Sequence, residues 1–142
     1  EKQRILPVIE QQHTESESLL STGKIWETAW LHGDAHGRNI FLYNAEPIAL
    51  DWEWHGVGWR ELDLGKWFQV LISEDGNPDD VLPVWDRMKA DTTLDPELVK
   101  LEIRQSAARA YTYQLRWQTK LEWLDGLYDL AVGETALYKE LH

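Results

Sequence analysis

Leu31-His32-Gly33-Asp34-Ala35-His36-Gly37-Arg38-Asn39-Ile40, followed twelve residues after Asn39 by Asp51, is the stretch around which this sequence organises itself. Gly, Asp, His and Asn crowd the interval from Gly33 to Asn39. Short polar side chains of this kind compete for backbone hydrogen bonds and extend a helix poorly, so a loop begins at His32. Ile40 to Tyr43 and Ile48 to Trp52 are β-rich runs on either side of Asn44-Ala45-Glu46-Pro47, which is turn chemistry, and together they predict a hairpin. A loop that feeds a hairpin keeps its ends near the strand ends, so the oxygens of Asp34, Asn39 and Asp51 are expected to meet. Asp and Asn oxygens are hard ligands suited to Mg²⁺, which takes one or two carboxylates and leaves its other positions to water and phosphate. Phosphoryl transfer uses such a set: metal on the phosphates, and a carboxylate that accepts the proton of the attacking hydroxyl. Taken singly, Asp34 and Asn39 also fit turn residues bonding their own backbone. The three together at this spacing favour a site.

Outward from this stretch the pattern is helical. Before it, Ile5, Leu6, Ile9, Leu19 and Leu20 predict a helix over residues 2 to 22, with a break near Thr14 to Ser18 and a stop at Gly23. After it, Leu62, Leu64, Trp67, Phe68, Leu71 and Ile72 recur at helical spacing up to the breaker Asp75-Gly76-Asn77-Pro78. Another helix is expected from Pro78 to Ala90. Asp95-Pro96-Glu97 is a start signal, with Asp as cap, Pro in the first turn and an acid behind it. The stripe from Val99 through Ile103, Ala107, Ala110 and Trp117 to Leu124 predicts one long helix running up to Gly126, with a short helix after Gly133. All strands are expected between Ile25 and Trp52. The fold class is therefore α+β, mostly helical, with a small central hairpin.

Composition sets the outer limits. With 142 residues, 25 acidic and 14 basic, the chain carries a net charge of −11, and its nine tryptophans require a folded core. One domain is expected over 1 to 142. Such acidity disfavours nucleic acid, whose binding depends on neutralising phosphates, and suits a cationic small molecule or a divalent metal. Cysteine is absent, which removes thiolate catalysis and disulfides and agrees with a cytoplasmic setting. No apolar run approaches the roughly 20 residues needed to cross a bilayer, so no membrane partner is expected, and no targeting segment precedes Ile5. Met88 is the only methionine, so the chain beginning at Glu1 reads as a processed product or a piece of a longer protein.

His32-x-Asp34-x-His36-x-x-Asn39 with Ile40 and Leu42 behind it, then Ile48-Ala49-Leu50-Asp51-Trp52-Glu53, resembles the catalytic loop and metal-binding segment of the aminoglycoside phosphotransferase and choline kinase superfamily. The likeness continues through Trp59-Arg60-Glu61-Leu62-Asp63-Leu64-Gly65 and covers about Leu31 to Phe68. It implies a protein-kinase-like C-terminal lobe with Asp34 as catalytic base and Asn39 and Asp51 as Mg²⁺ ligands. His32 and Asp63 would support the loop. Glu53, Trp54 and His36 are the candidates for substrate binding. The phosphate donor would be ATP or GTP, and the acceptor a hydroxyl on a cationic small molecule such as an aminoglycoside or a choline-like amino alcohol. Asp51-Trp52-Glu53-Trp54 is closer to choline and ethanolamine kinases, while Gly33 and His36 are closer to the antibiotic kinases. Gly37-Arg38 before Asn39 departs from relatives that place glycine next to the asparagine.

Only 31 residues precede His32, with one glycine, Gly23, and two lysines, Lys2 and Lys24. The Gly-rich strands and lysine that cover the nucleotide in such kinases have no counterpart there, so the N-terminal nucleotide lobe is expected to be absent. Self-association through the uncovered face and an inactive isolated lobe are the corollaries. Two other classes stay open. A metal-dependent hydrolase would use His32, Asp34 and His36 with Asp51 as ligands. A non-catalytic interaction module would bind a partner through exposed tryptophans. Trp67, Trp117 and Trp123 are assigned to the core, and Trp52, Trp54 or Trp117 are the rings that could hold an ammonium.

Overall fold

The computed structural model describes residues 2–74 and 76–142, with only the backbone of Lys2 described. Asp75 of the expected breaker lies outside these residues, while Asn77 caps the helix that follows it. The chain is α+β and predominantly helical: α1 (Lys2–Ser21), β1 (Thr28–Leu31), β2 (Ile40–Tyr43), β3 (Glu46–Ala49), β4 (Gly56–Trp59), α2 (Arg60–Glu74), α3 (Pro78–Lys89), α4 (Pro96–Trp117), a 3₁₀ turn (Leu121–Trp123), α5 (Leu124–Ala131) and α6 (Ala136–Lys139). The kernel is helical, with α2, α1 and α5 all packed on α4. Phe68, Val99, Ile103, Ala107, Tyr111 and Leu130 are fully buried, and Phe68 meets the buried Trp85 of α3 edge to face at 5.3 Å. No helix among the described residues is long and apolar enough to cross a membrane.

The structure corrects four expectations about the elements. Helix α1 runs through Thr14 to Ser18 without a break. Thr14 Oγ and Ser16 Oγ donate back to the carbonyls of Glu10 and Gln12, and Arg104 of α4 pairs with Glu15 while Gln105 donates to Ser16 Oγ at 2.7 Å. Contacts from α4 thus outweigh a weak local preference against helix. A fourth strand, β4, lies beyond Trp52 and pairs antiparallel with β1, Leu31 opposite Gly56 and Thr28 opposite Trp59. Its Gly-Val-Gly-Trp sequence has little intrinsic strand preference and is held by the partner strand. The hairpin is tighter than expected, with β3 starting at Glu46 and a two-residue turn at Asn44 and Ala45, both with positive φ, as a primed turn requires. The long helix ends at Trp117, nine residues before Gly126, because Gln118 turns left-handed with φ 51° and the chain folds back as α5 against α4.

The tryptophans are also distributed differently. Trp26 and Trp85 are buried, Trp67 and Trp123 are partly buried, and Trp117 is exposed on the surface beside Arg116 and Tyr113. Trp117 is the last residue of α4, and the buried positions of that helix end at Tyr111.

Candidate active site

The loop from His32 to Asn39 is held at both ends by strands. It leaves β1 at Leu31 and enters β2 at Ile40, and Leu50 N–H donates to Asn39 O at 2.8 Å, extending the hairpin ladder by one pair. Beneath the loop lies the first turn of α2. Its Asp63 carboxylate accepts from His32 N–H at 2.7 Å and from Gly33 N–H at 2.9 Å, so one side chain takes both oxygens' worth of backbone donors that the turn would otherwise leave unpaired. Gly33 has φ 82°, and any side chain there would lie 2.1 Å from Trp54 O. Only glycine fits that crossing.

His32 is 5% exposed and both its ring nitrogens are bonded to backbone. Nδ1 accepts from Asp34 N–H at 3.3 Å, which leaves the proton on Nε2, and Nε2 donates to Leu50 O at 2.7 Å. The ring also packs on Trp52 with centroids 4.7 Å apart. His32 therefore staples the loop to the end of the hairpin, one residue before Asp51. With both nitrogens bonded in this way it has no lone pair for a metal. Among the described residues no three His, Asp or Glu side chains are placed to hold an ion, and the hydrolase arrangement of His32, Asp34 and His36 is not formed.

Asp34 is the residue on which the loop's polar side chains converge. Its Oδ2 takes His36 Nε2 at 3.3 Å and Asn39 Nδ2 at 3.3 Å, and Asn39 Nδ2 also donates to Asp34 O at 3.1 Å. His36 Nδ1 accepts from Arg38 N–H, which places its proton on Nε2, facing Asp34. Asn39 Oδ1 and the Asp51 carboxylate accept no hydrogen bond from another described residue. Asp51 is exposed, sits two residues past β3 and has φ 63°, a left-handed backbone that an Asp adopts at some cost in strain. Asn39 Oδ1 and the Asp51 carboxylate are hard oxygens of the kind that Mg²⁺ takes.

A cavity of about 890 Å³ opens beside Asp34 and is walled by α2, α4 and the start of α5. Asp34, His36, Glu53, Trp54 and Asp63 line it, whereas Asn39, Asp51, His32, Trp52 and Trp117 do not. Asp34 thus stands between the Asn39 side of the loop and the cavity. Glu53 has no ionic or hydrogen-bond partner among the described residues and lies beside the exposed Trp54. The cavity also holds basic groups that reading the sequence did not single out, Lys66, Arg109, Lys120 and Arg38, so its field is more balanced than the net charge suggests. Lys120 lies 3.9 Å over the Trp123 ring. A signal for the wall was present: Lys66, Gln69 and Ser73 on α2, and Glu102, Ser106, Arg109 and Tyr113 on α4, repeat at helical spacing as a polar stripe on otherwise buried helices. No family model, curated protein or solved structure matches this chain.

Proposed function

We propose that this chain is the acceptor-binding lobe of a small-molecule phosphotransferase, with Asp34 as the base for an acceptor hydroxyl. The observation that carries this reading is the Asp34 carboxylate, fixed by His36 and Asn39 on one oxygen while it lines a cavity large enough for a small organic acceptor. The likeness of the loop to the aminoglycoside phosphotransferase and choline kinase superfamily supports the same assignment. Asn39 Oδ1 and the Asp51 carboxylate would hold Mg²⁺, which neutralises phosphate charge on the ATP or GTP donor when bound. Asp34 accepts the hydroxyl proton at its cavity-facing oxygen. Asp63 and His32 keep the loop in register, and Glu53 with Trp54 offers an unpaired carboxylate and a ring to an amine on the acceptor. A nucleotide-covering lobe supplied outside this chain completes the site.

The test uses the complete enzyme with both lobes. Asp34→Asn lowers kcat by roughly 10² to 10⁴ with little change in nucleotide affinity, because the side chain acts on the acceptor and not on phosphate. Asp51→Ala weakens nucleotide binding and turnover together and raises the Mg²⁺ requirement. Turnover retained in Asp34→Asn removes Asp34 from the chemistry. A clear preference for an uncharged polyol over choline, ethanolamine and aminoglycosides removes the cationic acceptor alone.

A further inference from the structure

Lys66 belongs to α2, three residues beyond Asp63 and so on the same helix face, and its ammonium is 3.5 Å from Asp34 Oδ1. This is the oxygen that His36 and Asn39 leave free. Lys66 is only 26% exposed at its side chain and lines the same cavity as Asp34. Glu102 of α4, 5% exposed and paired with Arg109, lines the same cavity. Burial pushes the Glu102 carboxyl up, while the charges of Arg109 and Lys66 pull against it.

The packing explains why Glu102 is there at all. At Gly65 the two helices approach so closely that any side chain would lie 2.5 Å from Glu102 Cβ and Cγ. This brings the Glu102 carboxylate into the field of Lys66. The result is a row of alternating charge, Asp34, Lys66, Glu102 and Arg109, across the floor of the cavity.

We propose that Lys66 is a positioning residue for Asp34, holding the carboxylate's second oxygen toward the cavity. This rests on the reading of Asp34 as the base. An acceptor hydroxyl then shares Oδ1 with the ammonium, so losing Lys66 leaves the carboxylate held through Oδ2 alone, lets it tilt on those two bonds and misaligns the proton acceptor. Misplacement of about 1 Å costs on the order of 10²-fold in rate.

Two measurements on Lys66→Met and Lys66→Arg test the proposal. In the complete enzyme, Lys66→Met lowers kcat by about 10- to 100-fold with acceptor and nucleotide KM within about twofold of wild type, and Lys66→Arg, which keeps the cation, restores kcat to within a few-fold. An unchanged kcat in Lys66→Met overturns the proposal, and so does a loss that arginine does not rescue. In the present chain, the Asn39 side-chain amide and the His36 ring proton, both bonded to the other Asp34 oxygen, report the carboxylate's orientation by NMR without any catalysis. They shift in Lys66→Met and return in Lys66→Arg. Signals that stay put in Lys66→Met overturn the positioning role. A wild-type enzyme with no phosphotransfer refutes the proposed function, and the NMR result then decides the role of Lys66 separately.

Discussion

Asp95 joins three segments of the chain through one carboxylate. Its Oδ1 caps α4 by accepting from Glu97 N–H at 3.0 Å, and its Oδ2 accepts from Lys24 Nζ at 2.7 Å and Trp26 Nε1 at 3.0 Å, just ahead of β1. Its own N–H donates to the buried Glu61 at the start of α2. Removing the cap costs about 1 kcal/mol, and a buried indole N–H left without its acceptor costs about 1–3 kcal/mol. Asp95→Ala is therefore expected to destabilise the chain by about 2–4 kcal/mol in urea unfolding at pH 7. Burial alone would raise the Asp95 carboxyl, but its bonds from Lys24 and Trp26 outweigh burial and hold it below its ordinary value. A lowered value in the folded state means that the unfolded chain binds the proton more tightly. The stabilisation is present above the ordinary aspartate range and is lost as pH falls through the depressed value. The gap between wild type and Asp95→Ala should narrow on acidification in that range, and a gap that widens instead would show that the ion pair is not its source. Reading the sequence identified Asp95 as a cap because Asp-Pro-Glu is a local signal, but its second oxygen binds groups some seventy residues away, which no spacing rule reports.

The crossing of α2 and α4 decides where the cavity wall stands. Gly65 lies at the point of contact, with Glu102 Cβ and Val99 O against it. Alanine is the better helix former by about 1 kcal/mol, so on an exposed helix Gly65→Ala would stabilise. Here the added methyl meets a Cβ and a backbone oxygen, neither of which can swing away, and overpacking of this kind costs about 1–3 kcal/mol. Net destabilisation of Gly65→Ala in urea unfolding is the expected outcome. Equal or greater stability would mean that the helices separate freely. At this scale the sequence was most legible where a repeat was long and apolar, as in α2 and α4. It misled where partner elements overrode weak local preferences, in the unbroken α1 and in the glycine-containing β4 paired with β1. The end of α4 was missed because the left-handed turn at Gln118 and Lys120 uses residues that carry no stop signal.

At the scale of the whole molecule, one group of exposed apolar side chains lies on and just after the hairpin. Leu42 is 77% exposed, and Phe41, Tyr43, Ile48, Leu50, Trp52 and Trp54 around it are also open, so the hairpin is bare on both faces. Exposed apolar side chains of this kind make a surface adhesive. In the proposed enzyme the nucleotide-covering lobe would lie here. The chain alone should self-associate with rising concentration in sedimentation velocity, despite the repulsion of a net charge of −11, and more strongly as salt screens that charge. Leu42→Lys should reduce the association, and a monomer at all concentrations and salt levels would rule this surface out as adhesive.

The sequence by itself determined the helical periodicities, the helix start at Asp95, the hairpin, and the loop that brings Asp34 and Asn39 together, because each depends on neighbours within a few turns or on a short connection. Asp63 and His32 were expected as loop supports from the family resemblance, and in the structure they are two backbone clamps on one loop. Only the tertiary structure decided that Asp34 faces a cavity while Asn39 and Asp51 do not, that Trp117 is outside and Trp123 inside the cavity wall, and that Lys66, Glu102 and Arg109 form a charged row beside Asp34. Those facts follow from how α4 crosses α2 and turns back into α5. Such a crossing is set by the sum of many side-chain contacts between distant segments, and no local pattern along the chain encodes it.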